Sequence, residues 1–232
     1  MDELVACVVS GDVKGVQRLL MTQKIELNYS VNGKSNFLLH ICCRLKTRAH
    51  ELIAASLLSV GVDPNIINSK GNTPLHLACT AATDTEGEEL SLALVRLLLG
   101  YSAYTCAINH NGDTPLTLAC SWSESSRTMV AIVRMLLDAG ADPSHVASHD
   151  GRTALHWACA RLTRRKLVRK ILRGIDRAAE NDHVPSRGQR WLDVRDGSGC
   201  TALMHAVTAC TVTPGGTDEV CHAVSTCSLP LL

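Results

Sequence analysis

Three short stretches pair a histidine with a cysteine three residues on: His40 with Cys43, His76 with Cys79, and His156 with Cys159. On a helix that spacing places imidazole and thiol on one face, and both groups can ligate zinc. The pairs recur at equivalent places about one repeat length apart, however, so they read as parts of a repeated unit rather than as a metal site. Other chemistry has weaker support. The chain holds no Gly-rich phosphate loop, no G-x-S-x-G elbow and no H-E-x-x-H helix. Its acidic residues fall at helix-cap and solvent-side positions. The expectation is a protein that is not an enzyme and carries no metal or cofactor.

The elements that position these pairs repeat with them. Gly71-Asn72-Thr73-Pro74-Leu75-His76-Leu77-Ala78-Cys79 returns as Gly112-Asp113-Thr114-Pro115-Leu116-Thr117-Leu118-Ala119-Cys120, and again as Gly151-Arg152-Thr153-Ala154-Leu155-His156-Trp157-Ala158-Cys159. Gly199 to Val207 is a looser copy and Ser35 to Cys43 a degraded one. Each position has a physical job. Glycine takes the positive φ of a tight turn. Threonine caps a helix by accepting a free backbone N–H. Proline at the first helical position sacrifices no hydrogen bond. The leucines bury one face, and the alanine lets a neighbouring helix approach. The unit reads as turn, cap, short helix.

This pattern resembles the ankyrin repeat, whose signature is T-P-L-H-x-A at a period of about 33 residues. The resemblance covers nearly the whole chain. It implies an all-α solenoid of stacked helix-turn-helix units with short β-hairpin fingers, in which the repeat histidine is structural and bonds across the turn. It also implies that Cys43, Cys79, Cys120 and Cys159, at one equivalent position, face the core, where free cysteine acts as a small hydrophobe.

Composition agrees with such an array. Of 232 residues, 46% are hydrophobic, but only one Phe, three Tyr and three Trp are present, so aliphatic side chains must fill the core. A net charge of +1 gives no general attraction to nucleic acid or an anionic membrane. Eleven cysteines, an odd number with no C-x-x-C pair, fit a reducing compartment. No secretory signal precedes the first helix, and no apolar run approaches the roughly 20 residues of a membrane span. A cytoplasmic or nuclear protein, or both, is expected.

In order, the chain divides into six units of one domain over residues 1–232: 1–34, 35–70, 71–111, 112–150, 151–198 and 199–232. Outer helices are expected at about 13–21, 49–60, 90–99 and 129–138. Gly61 and Gly140 close two of these helices in the left-handed conformation. The exit Gly100-Tyr101-Ser102-Ala103-Tyr104 departs from the family pattern. Insertions are expected at Ala81 to Glu89, which is acidic, at Ser121 to Arg127, and at Asp176 to Arg190. The apolar end at Ser228 to Leu232 lacks the polar face of a capping repeat. It reads as an array cut short, with further repeats or domains after Leu232, or as a stub that docks elsewhere.

The resemblance implies noncatalytic protein binding, as an adaptor or scaffold, through the concave face. The candidate contacts flank each unit's glycine: Ser69, Lys70 and Asn72; His110, Asn111 and Asp113; Ser148, His149, Asp150 and Arg152; Arg195, Asp196 and Ser198. Trp122, aligned with a surface position in an inserted loop, is a further candidate because tryptophan is enriched among binding hot spots; the alternative is that it folds back over neighbouring loops. Trp157 takes a core leucine position and reads as packing. The implied partner is a protein, with no small-molecule substrate and no membrane. A second reading rests on Arg161, Arg164, Arg165, Lys166, Arg169, Lys170 and Arg173, seven basic residues in thirteen. Such a helix could bind nucleic acid or an acidic partner, although apolar residues at helical spacing also fit the solvated face of a packed helix.

Overall fold

In the computed structural model the described residues are 2–22, 37–81, 84–122, 126–160, 168–169, 171–173 and 192–212. They fall into two compact units, Met1–His110 and Asn111–Leu232. Among the described residues the first unit holds six helices in three pairs. They are α1 (Asp2–Ser10) with α2 (Val13–Thr22), α3 (Leu38–Leu45) with α4 (Arg48–Ser59), and α5 (Pro74–Ala78) with α6 (Thr85–Gly100). Within it α3 touches both α1 and α5, while α4 touches both α2 and α6. Each pair therefore packs on its neighbours, as repeat arrays do. In the second unit α7 (Pro115–Cys120) packs on α8 (Arg127–Asp138). Next to it α9 (Ala154–Cys159) packs on α7, and α10 (Ala202–Val212) packs on α9.

The inner helices start where the sequence requires. Thr73, Thr114 and Thr153 are extended, and each hydroxyl accepts the backbone N–H three residues on. Pro74 and Pro115 follow at the first helical position. Leu75, Leu116 and Leu155 are buried, as are Cys43, Cys79, Cys120 and Cys159. Leu203, expected beside them, is only half-buried, and Ala202 and Ala206 hold the buried face of α10 instead.

Two further expectations need correction. The acidic insertion is partly helical: Asp84 caps α6 through Gly87 N at 2.7 Å, and Glu86 and Glu88 lie in its first turn, where carboxylates suit the helix dipole. The fingers, expected as β-hairpins, are tight turns. Among the described residues they hold one isolated antiparallel bridge, Arg195 with Thr201, and no strand. The Asp176–Arg190 loop, residues 161–167 and 170 of the basic stretch, and residues 213–232 lie outside the described residues.

Candidate functional site: the finger turns

Helices α3, α5 and α9 carry a histidine at the third position and α7 a threonine, and each of these side chains caps the start of its own helix. Thr73 N donates to His76 Nδ1 at 3.1 Å and Thr153 N to His156 Nδ1 at 3.2 Å. In α7 the hydroxyl of Thr117 accepts from Thr114 N at 2.9 Å. With Nδ1 accepting, Nε2 bears the proton. His40 Nε2 donates to Asn72 O at 2.8 Å, and His156 Nε2 to Val194 O and Cys200 O at 3.1 and 3.2 Å. Burial lowers the pKa of His40 and His156, keeping both neutral and bonded. Both nitrogens of these rings are thus committed to the turn. The partner thiol of His40 is equally unsuited to a metal, since burial pushes Cys43 up to about 12. The H-x-x-C spacing is a product of helix capping and core packing.

The turns held this way have one repeated geometry. Asn68 N donates to Asn72 O at 2.9 Å and Gly71 N to Asn68 O at 2.9 Å, while Asn68 Oδ1 accepts from Lys70 N and Asn72 N at 2.9 and 3.1 Å. Asp196 repeats the arrangement. Its N donates to Cys200 O at 2.9 Å, and its Oδ1 accepts from Ser198 N and Cys200 N at 2.9 and 3.0 Å. The finger between them in the second unit is one residue longer, closed by Ala147 N to Arg152 O at 2.9 Å. Ala147 has no side-chain acceptor, and Asp150 Oδ1 takes the bond from Arg152 N at 2.9 Å instead.

Neighbouring turns are stitched together through their backbones. In the first unit His110 N donates to Lys70 O at 3.0 Å, and Asn109 Nδ2 donates to Asn72 Oδ1 at 2.9 Å. Glycine is required here for space: a Cβ on Gly71 would stand 2.8 Å from His110 N. In the second unit His145 Nε2 donates to Gly112 O at 2.7 Å, His149 Nδ1 meets Asn111 O at 3.1 Å, and Gly197 N donates to Asp150 O at 2.7 Å.

The expected contact residues separate into three groups on this frame. Ser69, Lys70, His110, Asn111, Ser148, His149, Arg195 and Ser198 are exposed at the tips. Asn72, Asp150 and Arg152 are half-buried, and their polar atoms serve the turns. Asp113, Asp196 and Trp122 are corrections, with exposures of 8%, 6% and 3%. Asp196 turns its carboxylate toward its own turn and α10, through Cys200 N and His205 Nε2. Trp122, read as a surface position, lies just past the end of α7 and is buried.

Asp196 is the centre of a buried charge cluster. Its Oδ2 accepts from His205 Nε2 at 2.7 Å and from Arg152 Nε at 3.3 Å. Burial alone would push this carboxyl up. The bonds from His205, Cys200 N, Ser198 N and Arg152 outweigh that and hold it well below the usual carboxylate range. The Arg152 guanidinium also lies 4.7 Å over the Trp157 ring. Trp157 is therefore a half-buried platform for Arg152 rather than a core leucine substitute.

Three exposed side chains escaped the sequence reading. Ile67, Ile108 and Val146 each stand four residues after Asp63, Tyr104 and Asp142, and they are 56%, 55% and 42% exposed. A β-branched residue at one register position of three fingers was the available signal. In the basic stretch, Arg169 and Arg173 are exposed while Val168, Ile171 and Leu172 are buried.

A family model described as Ankyrin repeats (3 copies) matches residues 39–147 and 88–181. No curated protein matches the chain. No helix among the described residues is long and apolar enough to cross a membrane.

Proposed function

The chain belongs to the ankyrin repeat family, and from that premise we propose that it is a noncatalytic adaptor or scaffold whose finger tips grip a partner protein. Ankyrin repeats are generally protein–protein interaction modules. The reading sets the protein in the cytoplasm or nucleus. One observation carries it: within each unit the finger backbones are bonded to one another and to the inner helices, while the tip side chains are exposed. Ordering entropy is then small on binding, because the scaffold has already fixed the contact positions.

The first unit offers Ile67, Lys70, Ile108 and His110 as its contact set, and the second offers Val146, His149 and Arg195. Each set mixes exposed aliphatic groups with hydrogen-bond donors, the composition of a specific but reversible interface. Affinity capture with identification by mass spectrometry, comparing the native chain with an Ile67→Ser, Lys70→Ser, Ile108→Ser, His110→Ser variant, tests the reading. Partners should be lost at an unchanged melting temperature. An identical partner set for both chains would refute it.

A further inference from the structure

Lys46 stands at the turn between α3 and α4 with φ 47 and ψ 52, in the left-handed conformation that suits glycine. Among the described residues only Ser102 shares a positive φ without being glycine. A strained backbone at a charged residue calls for an explanation in what its side chain does. The Lys46 side chain runs to the next helix pair. Its Nζ donates to Thr80 O at 2.5 Å and to Thr80 Oγ1 at 3.3 Å. Both acceptors are neutral oxygens.

The same residue lines a cavity of about 290 Å³ between the ends of α3 and α5 and the start of α6. Arg44, Thr47, Thr80, Asp84 and Glu86 share that lining. A residue lining an open cavity thereby carries a primary amine anchored on Thr80. We propose that Lys46 is a nucleophilic modification site that accepts acyl groups from small thioesters. The inference goes beyond the partner-binding reading and stands independently of it.

The chemistry balances without a co-reactant. The neutral amine attacks the thioester carbonyl carbon, a C–N bond forms, and the C–S bond breaks. The thiolate leaves and takes up the proton that nitrogen gives up, yielding an amide and a free thiol. Neutral amine is present because burial lowers Lys46 to about 8, with Cys79 and Cys43 partly opposing that effect. The other charged or titratable groups at the cavity are Arg44 from α3, and Asp84 and Glu86 from the start of α6. Acylation removes the cation that ties α3 to Thr80.

The test treats the full native chain with the acetyl thioester of N-acetylcysteamine at pH 7.5, to low conversion. Hydroxylamine then strips acyl groups from thiols, and peptide mapping by mass spectrometry counts the amides that remain. Lys46 should acetylate at least about tenfold faster than the exposed Lys14 and Lys70, with its rate half-maximal near pH 8. Equal or slower labelling of Lys46, or a rate still climbing steeply above pH 9, would overturn the proposal. A Lys46→Arg chain should lose that one amide and keep the label at Lys14 and Lys70.

Discussion

The Asn68 finger and the Asp196 finger adopt the same turn by different electrostatics. In both, a short side chain accepts two backbone N–H groups, from the residues two and four positions on. Asn68 is a neutral amide, and the turn is completed by amide and carbonyl bonds. Asp196 is a buried carboxylate, and it is kept charged by Arg152 and His205 as well as by the backbone. One backbone geometry therefore tolerates either side chain, and the difference appears in what each turn is coupled to. The amide finger is coupled to α3 and to the next finger by neutral bonds, from His40 Nε2 and Asn109 Nδ2 to Asn72 and from His110 N to Lys70 O. The carboxylate finger binds its turn to α10 through His205 and to the preceding finger through Arg152.

The largest expected effect separates the two. Asp196→Ala leaves Arg152 without its buried partner and two backbone N–H groups unmet, and should cost about 3 kcal/mol, as breaking a buried ion pair does. Asn68→Ala removes only neutral bonds and should cost about 1–2 kcal/mol. Urea denaturation of the two variants under the same conditions measures both. Equal losses would mean that charge contributes nothing to the Asp196 turn.

Acid should act on the same distinction. The folded pKa of Asp196 lies below its unfolded value. Its contribution is therefore complete above about pH 4 and is lost as pH falls through the folded value. His40, His50 and His156 act earlier. Burial lowers their folded pKa below 6.5, so the unfolded chain takes up protons first and stability declines as pH drops below about 6.5. A two-stage decline is expected in midpoints measured from pH 8 to pH 3, and Asp196→Asn should flatten the lower stage alone. A single decline unaffected by that substitution would remove Asp196 from the account.

Much of this arrangement was legible in the repeat. Thr73, Pro74, Leu75 and Ala78 each have one physical role, and identical roles at equal spacing made the inner helices and the buried cysteines readable. The finger side chains were not. Asn72, Asp113 and Arg152 follow the same glycine, and polarity alone does not say whether a side chain meets solvent or the turn. Burial of Asp196 goes with hydrogen bonds from His205 of α10 and Arg152 of the preceding finger, which spacing does not encode. Trp122 was misplaced for a related reason, since an insertion breaks the register that located everything else. The apolar tips at Ile67 and Ile108 were overlooked because hydrophobic residues were assigned inward by default.

The outer-helix exits give the smallest and sharpest version of the comparison. Gly61 and Gly140 leave α4 and α8 with φ of 92 and 86, and a Cβ at either would meet nothing within 4 Å. Glycine is there for its backbone freedom and not for space. At the corresponding exit of α6, Gly100 remains helical, Tyr101 is the cap, and Ser102 takes φ 61. Ser102 is exposed, and its carbonyl still accepts from Asn65 Nδ2 at 3.4 Å, a bond that a glycine would keep. An L-residue in this conformation costs about 1 kcal/mol, while glycine returns roughly half of that as freedom in the unfolded chain. Ser102→Gly should therefore stabilise the chain by about 0.5 kcal/mol, and Gly140→Ser should destabilise it by a similar amount. Opposite shifts in the thermal midpoint are the expected result. Shifts of the same sign would mean that the side chain of Ser102, rather than its backbone, sets the exit from α6.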